Sequence, residues 1–528
     1  MEPARVHITT YGCQMNQLDS ELVAQVLRSA GAHLVADPRA ADVLLFVTCA
    51  VRAHAENRVF SNIGKLAARK RREPHLVVGL LGCMAQEHGP AVRRRAPLVD
   101  LVCAPGRLAD LPDLIAQARG RLGDAEALDP PRSKAPSPLT PLPQGERGTN
   151  AAAFAASDAA LDEAEVRRPL CGSSPGSPGR RCGKPGQAYV VAIRGCDNFC
   201  SYCVVPYVRG PERSRAPSAI LEEVRRLVGQ GARQITLLGQ AVNKYAAQEG
   251  GRRWDLADLL AEAAQTPGLA RLAFITNHPR AFDERLARVF RDVPGVCPYL
   301  HMPAQSGSDA VLERMNRGYT HGQYLDRVAM ARAVRPDLAV ASDFIVGFPG
   351  ETEAEFEATC DLVRRARFSG AFVFKYSPRP GTLAAREFPD DVPDAEKRRR
   401  NNALLALVEE ITAEENRRFV GRTVRVFVGE ISPRGRQVED STRRGYLQTR
   451  RASAAAKRGF EFSNPQSAGV YPPRAGTPHS LQLRGRTPCN RIVVFDGPPS
   501  LVGTEVDVRV VDSTPLTLFA VLLESPGR

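Results

Sequence analysis

Three cysteines within eight residues, Cys196, Cys200 and Cys203, set the tightest limit on what this chain can fold into. They stand as Cys-x3-Cys-x2-Cys just after an apolar run, Tyr189–Ile193, with the length and composition of a buried strand. So short a loop gathers three thiolates, which can hold three irons of a [4Fe–4S] cluster and leave a fourth iron without a protein ligand. Structural zinc is the main competitor. It takes four ligands, usually as two Cys-x2-Cys pairs, and no fourth Cys or His lies near. Three unliganded buried thiols explain the spacing less well still.

The run that carries this loop is the first of six. Tyr189–Ile193, Gln234–Leu238, Leu272–Ile275, Pro298–Met302, Leu338–Val346 and Ala371–Phe374 are each followed by a helical pattern. Strand–helix alternation predicts a parallel sheet, and six such units predict an incomplete version of the eight-stranded barrel. An open iron at the end of its first strand can chelate the amino and carboxylate groups of S-adenosylmethionine. An electron passed into the sulfonium then releases a 5′-deoxyadenosyl radical, able to abstract hydrogen from an unactivated carbon. Tyr202, directly before the last cysteine, matches the radical S-adenosylmethionine pattern in that position.

Twelve cysteines in a chain with no apolar leader after Met1–Arg5 are not expected to pair, because the cytoplasm keeps thiols reduced. Cys13, Cys49 and Cys83 form no short motif. Each falls just past the carboxyl end of a predicted strand: Val6–Thr10, Val43–Thr48 and Leu76–Leu81. The amphipathic helix Leu18–Ala30 separates the first two, so residues 1–121 predict a parallel α/β sheet whose strand ends share one edge. Gly12 and Gly82 would let the backbone turn tightly beside two of the cysteines. The spacing leaves two readings open, a second three-cysteine cluster or ordinary buried cysteines at strand ends.

Residues 122–187 are rich in Pro, Ala, Gly and Ser, and predict a disordered linker or insertion in which Cys171 and Cys182 are solvent-exposed thiols rather than a third metal site. Residues 188–418 hold the six strand–helix units. Residues 419–528 show five β-like runs: Val424–Val428, Leu481–Arg486, Ile492–Phe495, Val506–Val511 and Leu518–Leu523, enough for a small all-β barrel. A low-complexity stretch at about 438–480 interrupts them. Net charge is +14, which suits a polyanionic partner. From Phe419 onward 16 Lys and Arg face 9 Asp and Glu, but the low-complexity stretch contributes 7 against 3 of these. The folded tail is therefore only mildly basic, and its charge fits a solvated surface as well as an RNA-binding one. No apolar window approaches the ~20 residues of a membrane span, so a cytoplasmic protein is expected.

Together these residues resemble the methylthiotransferases, and within them the MiaB-type branch. The opening Thr9-Thr10-Tyr11-Gly12-Cys13-Gln14-Met15-Asn16 with Asp19-Ser20-Glu21 is similar to theirs. So is Cys196–Cys203 running into Val204-Val205-Pro206-Tyr207-Val208-Arg209-Gly210 and Ser214-Arg215. Further matches are Pro303-Ala304-Gln305-Ser306-Gly307-Ser308, Asp343–Thr352, and Tyr376-Ser377-Pro378-Arg379-Pro380-Gly381-Thr382. Asn490-Arg491-Ile492-Val493-Val494-Phe495 resembles the family's terminal TRAM domain, a small RNA-binding β-barrel. One departure is Gly239-Gln240-Ala241-Val242-Asn243, where the family usually carries Asn at the position of Ala241; one polar contact is thereby put in doubt.

The resemblance implies that Cys13, Cys49 and Cys83 ligate an auxiliary [4Fe–4S] cluster beside the S-adenosylmethionine-binding cluster of Cys196, Cys200 and Cys203. It implies methylthiolation of N6-dimethylallyladenosine next to the anticodon of tRNA, with one S-adenosylmethionine methylating a sulfur on the auxiliary cluster and another generating the radical. A monomer is expected, served by an electron donor such as a flavodoxin or ferredoxin and by a sulfur donor. Sister branches act on threonylcarbamoyl-adenosine or on a ribosomal protein; Gln14-Met15-Asn16 and Val204-Val205-Pro206-Tyr207 look like the MiaB type. A reading from another class is a non-catalytic iron–sulfur RNA-binding protein, which has no need of an open iron. No catalytic residue is assigned. Asn277, His278, Gln305, Ser306, Asp343, Glu351 and Arg379, at barrel strand ends, are candidates to contact cofactor or base, though for His278 and Asp343 a satisfied structural polar group is at least as good a reading.

Overall fold

Two runs, Val43–Thr48 (β3) and Val77–Gly82 (β4), are buried at every position, the mark of central strands covered on both faces. The computed structural model, which describes residues 3–49, 53–89, 92–123, 185–433 and 480–523, places them at the centre of a five-stranded sheet. With β1 (Arg5–Thr10), β2 (His33–Leu34) and β5 (Leu101–Cys103), the sheet is parallel throughout in the order β2-β1-β3-β4-β5. Apolar periodicity predicted β1, β3 and β4. The edge strands β2 and β5 have two and three residues, too few to show a pattern. The first helix begins at Gln14, ahead of the expected Leu18, because Cys13 caps it and the Asn16 side chain accepts from the Cys13 backbone N–H at 3.3 Å.

Six parallel strands follow: Gln187–Val191, Gln234–Leu238, Arg271–Phe274, Tyr299–His301, Ala339–Val346 and Gly370–Lys375. They form two three-stranded halves, one from the first three strands and one from the last three. A Leu272–Val296 bridge and a bond from Asn277 N–H to the His301 carbonyl, 2.9 Å, connect the halves. The result is a partial barrel. Phe274, Phe290, Tyr324, Phe344, Phe356 and Phe368 are fully buried between its strands and the helices outside them. Gln187, expected in the linker, opens the first barrel strand. The expectations for Cys171, Cys182 and nearly all of both low-complexity stretches lie outside the described residues.

Met1–Thr412 form one compact unit and Ala413–Arg528 another. Within the first, Val191 and Leu238, which end two barrel strands, share an apolar core with Val6, Val47 and Leu81 of the N-terminal sheet. Each fully buried Val or Leu contributes about 1.5–3 kcal/mol, so this cluster fixes sheet to barrel. The second unit is a closed five-stranded barrel of Thr423–Ile431, Leu481–Arg486, Ile492–Gly497, Glu505–Ser513 and Thr517–Leu522 around Val426, Leu483, Val493 and Val508. Among the described residues no helix is long and apolar enough to cross a membrane.

Candidate functional site

The loop after the first barrel strand is held from three sides. Gly195 opens it at φ +73°, and the Cys196 N–H bonds the Gly210 carbonyl at 3.2 Å. Ser201 binds the turn after the Asp309–Arg314 helix, its N–H to the Met315 carbonyl at 3.0 Å and its hydroxyl to the Arg314 carbonyl at 2.7 Å. Its own carbonyl accepts from Ala384 N–H at 2.8 Å. Cys196, Cys200 and Cys203 are thereby gathered in partly apolar surroundings. Burial pushes the Cys196 and Cys203 thiols up, and the neighbouring Cys200 adds to both shifts. The Cys200 sulfur accepts from Arg317 Nη1 at 3.2 Å, and that buried guanidinium also bonds the Pro303 carbonyl and the Tyr319 hydroxyl.

The second triplet sits where the sheet predicts. Cys13 follows β1, Cys49 directly follows β3, and Cys83 opens a helix directly after β4. Gly12 has φ +136°, and a Cβ there would stand 2.7 Å from the Cys49 Cβ, so only glycine lets the two loops approach this closely. Asn16, wholly buried, joins the loops: its Oδ1 accepts from the Cys13 Sγ at 3.2 Å and its Nδ2 donates to the Thr48 carbonyl at 2.9 Å. The Thr48 hydroxyl donates to the Leu81 carbonyl at 2.7 Å, tying the ends of β3 and β4. A hydrogen bond from Cys49 brings the Cys13 thiol down to about 6, while burial raises Cys83. Cys103 also ends a strand of this sheet, but its thiol donates to the Arg107 carbonyl at 3.2 Å and behaves as a satisfied core residue.

Arg209 reaches from the barrel to this edge. Its Nη2 lies 2.6 Å from Asp19 Oδ2, and its Nε donates to the Cys83 sulfur at 3.3 Å. Among the described residues no three thiol, carboxylate or imidazole groups are drawn in as tightly as a bound metal ion would hold them; what the fold supplies is position, one triplet on the loop after the first barrel strand and the other at three strand ends of the N-terminal sheet.

The other candidates divide. Asn277 donates to the His301 carbonyl at 2.9 Å, while its Oδ1, the Oε1 of Gln240 and the Nε2 of His278 are buried without a hydrogen-bond partner. Such orphans at strand ends suit a ligand that brings its own donors. Asn243 clamps His278 through both backbone groups, at 2.8 and 2.9 Å. Asp343 pairs with His301 at 3.3 Å. Gln305 serves the backbone, its N–H on the Asp343 carbonyl. Ser306 faces Thr359 at 3.2 Å, and Glu351 Oε2 is held by Arg400 at 2.9 Å and by the Gly347 N–H, while its Oε1 is buried without a hydrogen-bond partner. Arg379 pairs with Glu56 of the N-terminal domain at 3.2 Å. Ala241 is buried and makes no polar side-chain contact. Asn16, Asp19, Arg209, Gln240, Asn243 and Arg317 were assigned no role from sequence, although the first five lie in quoted motifs.

Residues 190–363 match the Radical SAM superfamily, residues 5–104 the Uncharacterized protein family UPF0004, and residues 476–523 the TRAM domain. Fold and site together define a radical SAM enzyme with an added cysteine-bearing sheet and a β-barrel tail. A tRNA-2-methylthio-N(6)-dimethylallyladenosine synthase of Rhodopirellula baltica is 39% identical over 97% of this chain and 94% of its own. Proteins of the same name from Syntrophotalea carbinolica and Chromobacterium violaceum are 37% and 38% identical, covering 96% and 99% of this chain and the same shares of theirs. This chain belongs to the tRNA-2-methylthio-N(6)-dimethylallyladenosine synthase family, as the motif resemblance implied. The radical S-adenosylmethionine methyltransferase TsrM of Kitasatospora setae aligns with TM-score 0.49 at 16% identity, covering 73% of this chain and 74% of that one, a likeness too weak to bear on the site.

Proposed function

We propose that this enzyme converts N6-dimethylallyladenosine beside the tRNA anticodon to its 2-methylthio form. Cys196, Cys200 and Cys203 would hold the [4Fe–4S] cluster that binds S-adenosylmethionine, and Cys13, Cys49 and Cys83 a second. The observation that carries this reading is the placement of three cysteines on the loop after the first barrel strand and three more at the ends of β1, β3 and β4, on a chain of this family. The donor sets suit iron–sulfur clusters: three thiols each, with orphaned acceptors on Gln240 and Asn277 for a cofactor rich in N–H and O–H donors. When bound, the cluster on Cys196, Cys200 and Cys203 would supply the electron that cleaves S-adenosylmethionine, and the one on Cys13, Cys49 and Cys83 would carry the sulfur to be methylated and transferred.

The protein's own part is positional. Arg317 steadies Cys200, Asn16 fixes the spacing of Cys13 from the β3 end, and the Val191–Leu238 apolar cluster keeps water from the join of sheet and barrel. The target base has to be splayed from its stack, at a cost of a few kcal/mol. The enzyme acts as a cytoplasmic monomer, with a flavodoxin- or ferredoxin-type reductant and a separate sulfur donor.

Nucleoside mass spectrometry tests the substrate. Anaerobically reconstituted enzyme, given S-adenosylmethionine and dithionite, is expected to methylthiolate tRNA bearing the dimethylallyl group and to leave threonylcarbamoylated tRNA unchanged. Product on the threonylcarbamoylated tRNA alone would assign the chain to the sister reaction.

A further inference from the structure

The two cysteine groups are linked by one short helix. Val205–Arg209 begins two residues after Cys203, and its last residue crosses to the sheet edge. Val204 and Val208 from the same segment pack directly on Cys83. The Arg209 and Asp19 side chains are only 11% and 8% exposed where they pair. A guanidinium has five N–H donors and no acceptor, and a buried one is costly unless its donors are matched. Here one edge goes to a carboxylate and Nε to a sulfur 3.3 Å away. Packing alone could be served by an apolar side chain. The particular pairing of sulfur and carboxylate calls for a charged fork.

We propose that Arg209 is a positioning residue for the second cluster: it holds the Cys83 sulfur by an N–H···S bond and sets a buried positive charge beside it, with Asp19 fixing the guanidinium. This rests on Cys83 being a ligand, as proposed above. Reduction adds negative charge to a cluster, so a neighbouring cation and a hydrogen bond to a ligand sulfur both raise its potential. Because Arg209 belongs to the barrel and Cys83 to the sheet, the second site has its working charge only when sheet and barrel are packed together.

The test uses the full chain with Cys196, Cys200 and Cys203 changed to Ala, so that a single cluster is left to read. Redox titration followed by electron paramagnetic resonance should show a lower potential in Arg209→Gln, with about four irons retained, and an intermediate potential in Arg209→Lys, which keeps charge but not the fork. An unchanged potential in Arg209→Gln with iron retained would overturn the proposal. Should Arg209→Gln lose iron, Arg209→Lys decides: retained iron supports a role for the charge, and equal loss in both variants reduces Arg209 to a structural residue. A parent chain that holds no iron would instead remove the ligand assignment on which the inference rests.

Discussion

Gly195 shows how little freedom the first cysteine loop has at the scale of a single residue. At φ +73° it is already in the region L side chains avoid, and a Cβ there would meet the Pro211 carbonyl oxygen at 1.9 Å and that of Gly210 at 2.5 Å. Neither backbone atom can yield without opening the loop. Gly195→Ala is therefore expected to keep about four irons per chain, those of the second triplet, and to lose S-adenosylmethionine cleavage, as iron analysis and assay for 5′-deoxyadenosine will show. His278 offers a pH test. Burial, reinforced by Arg317 and Lys244, pushes its imidazole down to about 2, whereas an unfolded chain titrates near ~6.5. Between those values only the unfolded state gains a proton, so the stability owed to neutral His278 is complete above pH ~6.5 and falls by up to about 1.4 kcal/mol per unit of acidification. The urea midpoint of His278→Gln should decline less from about pH 7 to about pH 5 than that of the parent; parallel declines would mean the folded ring takes up the proton. Local sequence made the triplet Cys196–Cys203 legible because its members are neighbours. Arg317 and Arg209 escaped notice because they bond sulfurs 117 and 126 residues away.

At the scale of elements, legibility followed burial. Val43–Thr48 and Gln234–Leu238 read as strands because they are buried at nearly every position and carry short apolar, β-branched runs. The edge strands β2 and β5 bury too little to leave a pattern, and tertiary pairing alone defines them. Ser306 and Glu351 read as site candidates because each lies near a strand end, where polar residues serve sites; in the fold each also hydrogen-bonds a packed helix, which the sequence could not show. In the tail barrel, Gly485 is the weak point. An added Cβ would come within 2.4 Å of Val426 Cγ1 and 2.5 Å of the Phe427 carbonyl oxygen, and the latter cannot move within a closed barrel. Gly485→Ala should destabilise this unit by about 1–3 kcal/mol and weaken tRNA binding without changing iron content. A drop in iron would mean that the tail barrel supports the cysteine sites.

At the scale of the whole molecule, two α/β elements with separate cores become one unit because barrel strand ends complete the apolar core of the sheet. Arg379 on Glu56 and Arg209 on Asp19 add buried ion pairs across that join. Such pairs contribute little net stability relative to apolar contacts, but they fix register, and breaking one leaves a buried charge unmatched. The sequence could place Cys13, Cys49 and Cys83 at three strand ends. It could not show Asn16 and Thr48 drawing those ends together, because that depends on the strand order β1-β3-β4. The account stands on each triplet holding its own cluster, and iron and acid-labile sulfide in anaerobically reconstituted protein measure this most directly. The expected result is about eight irons per chain, falling to about four when Cys196, Cys200 and Cys203 are changed to Ala, and likewise to about four when Cys13, Cys49 and Cys83 are changed. A parent protein that saturates at about four irons would contradict it.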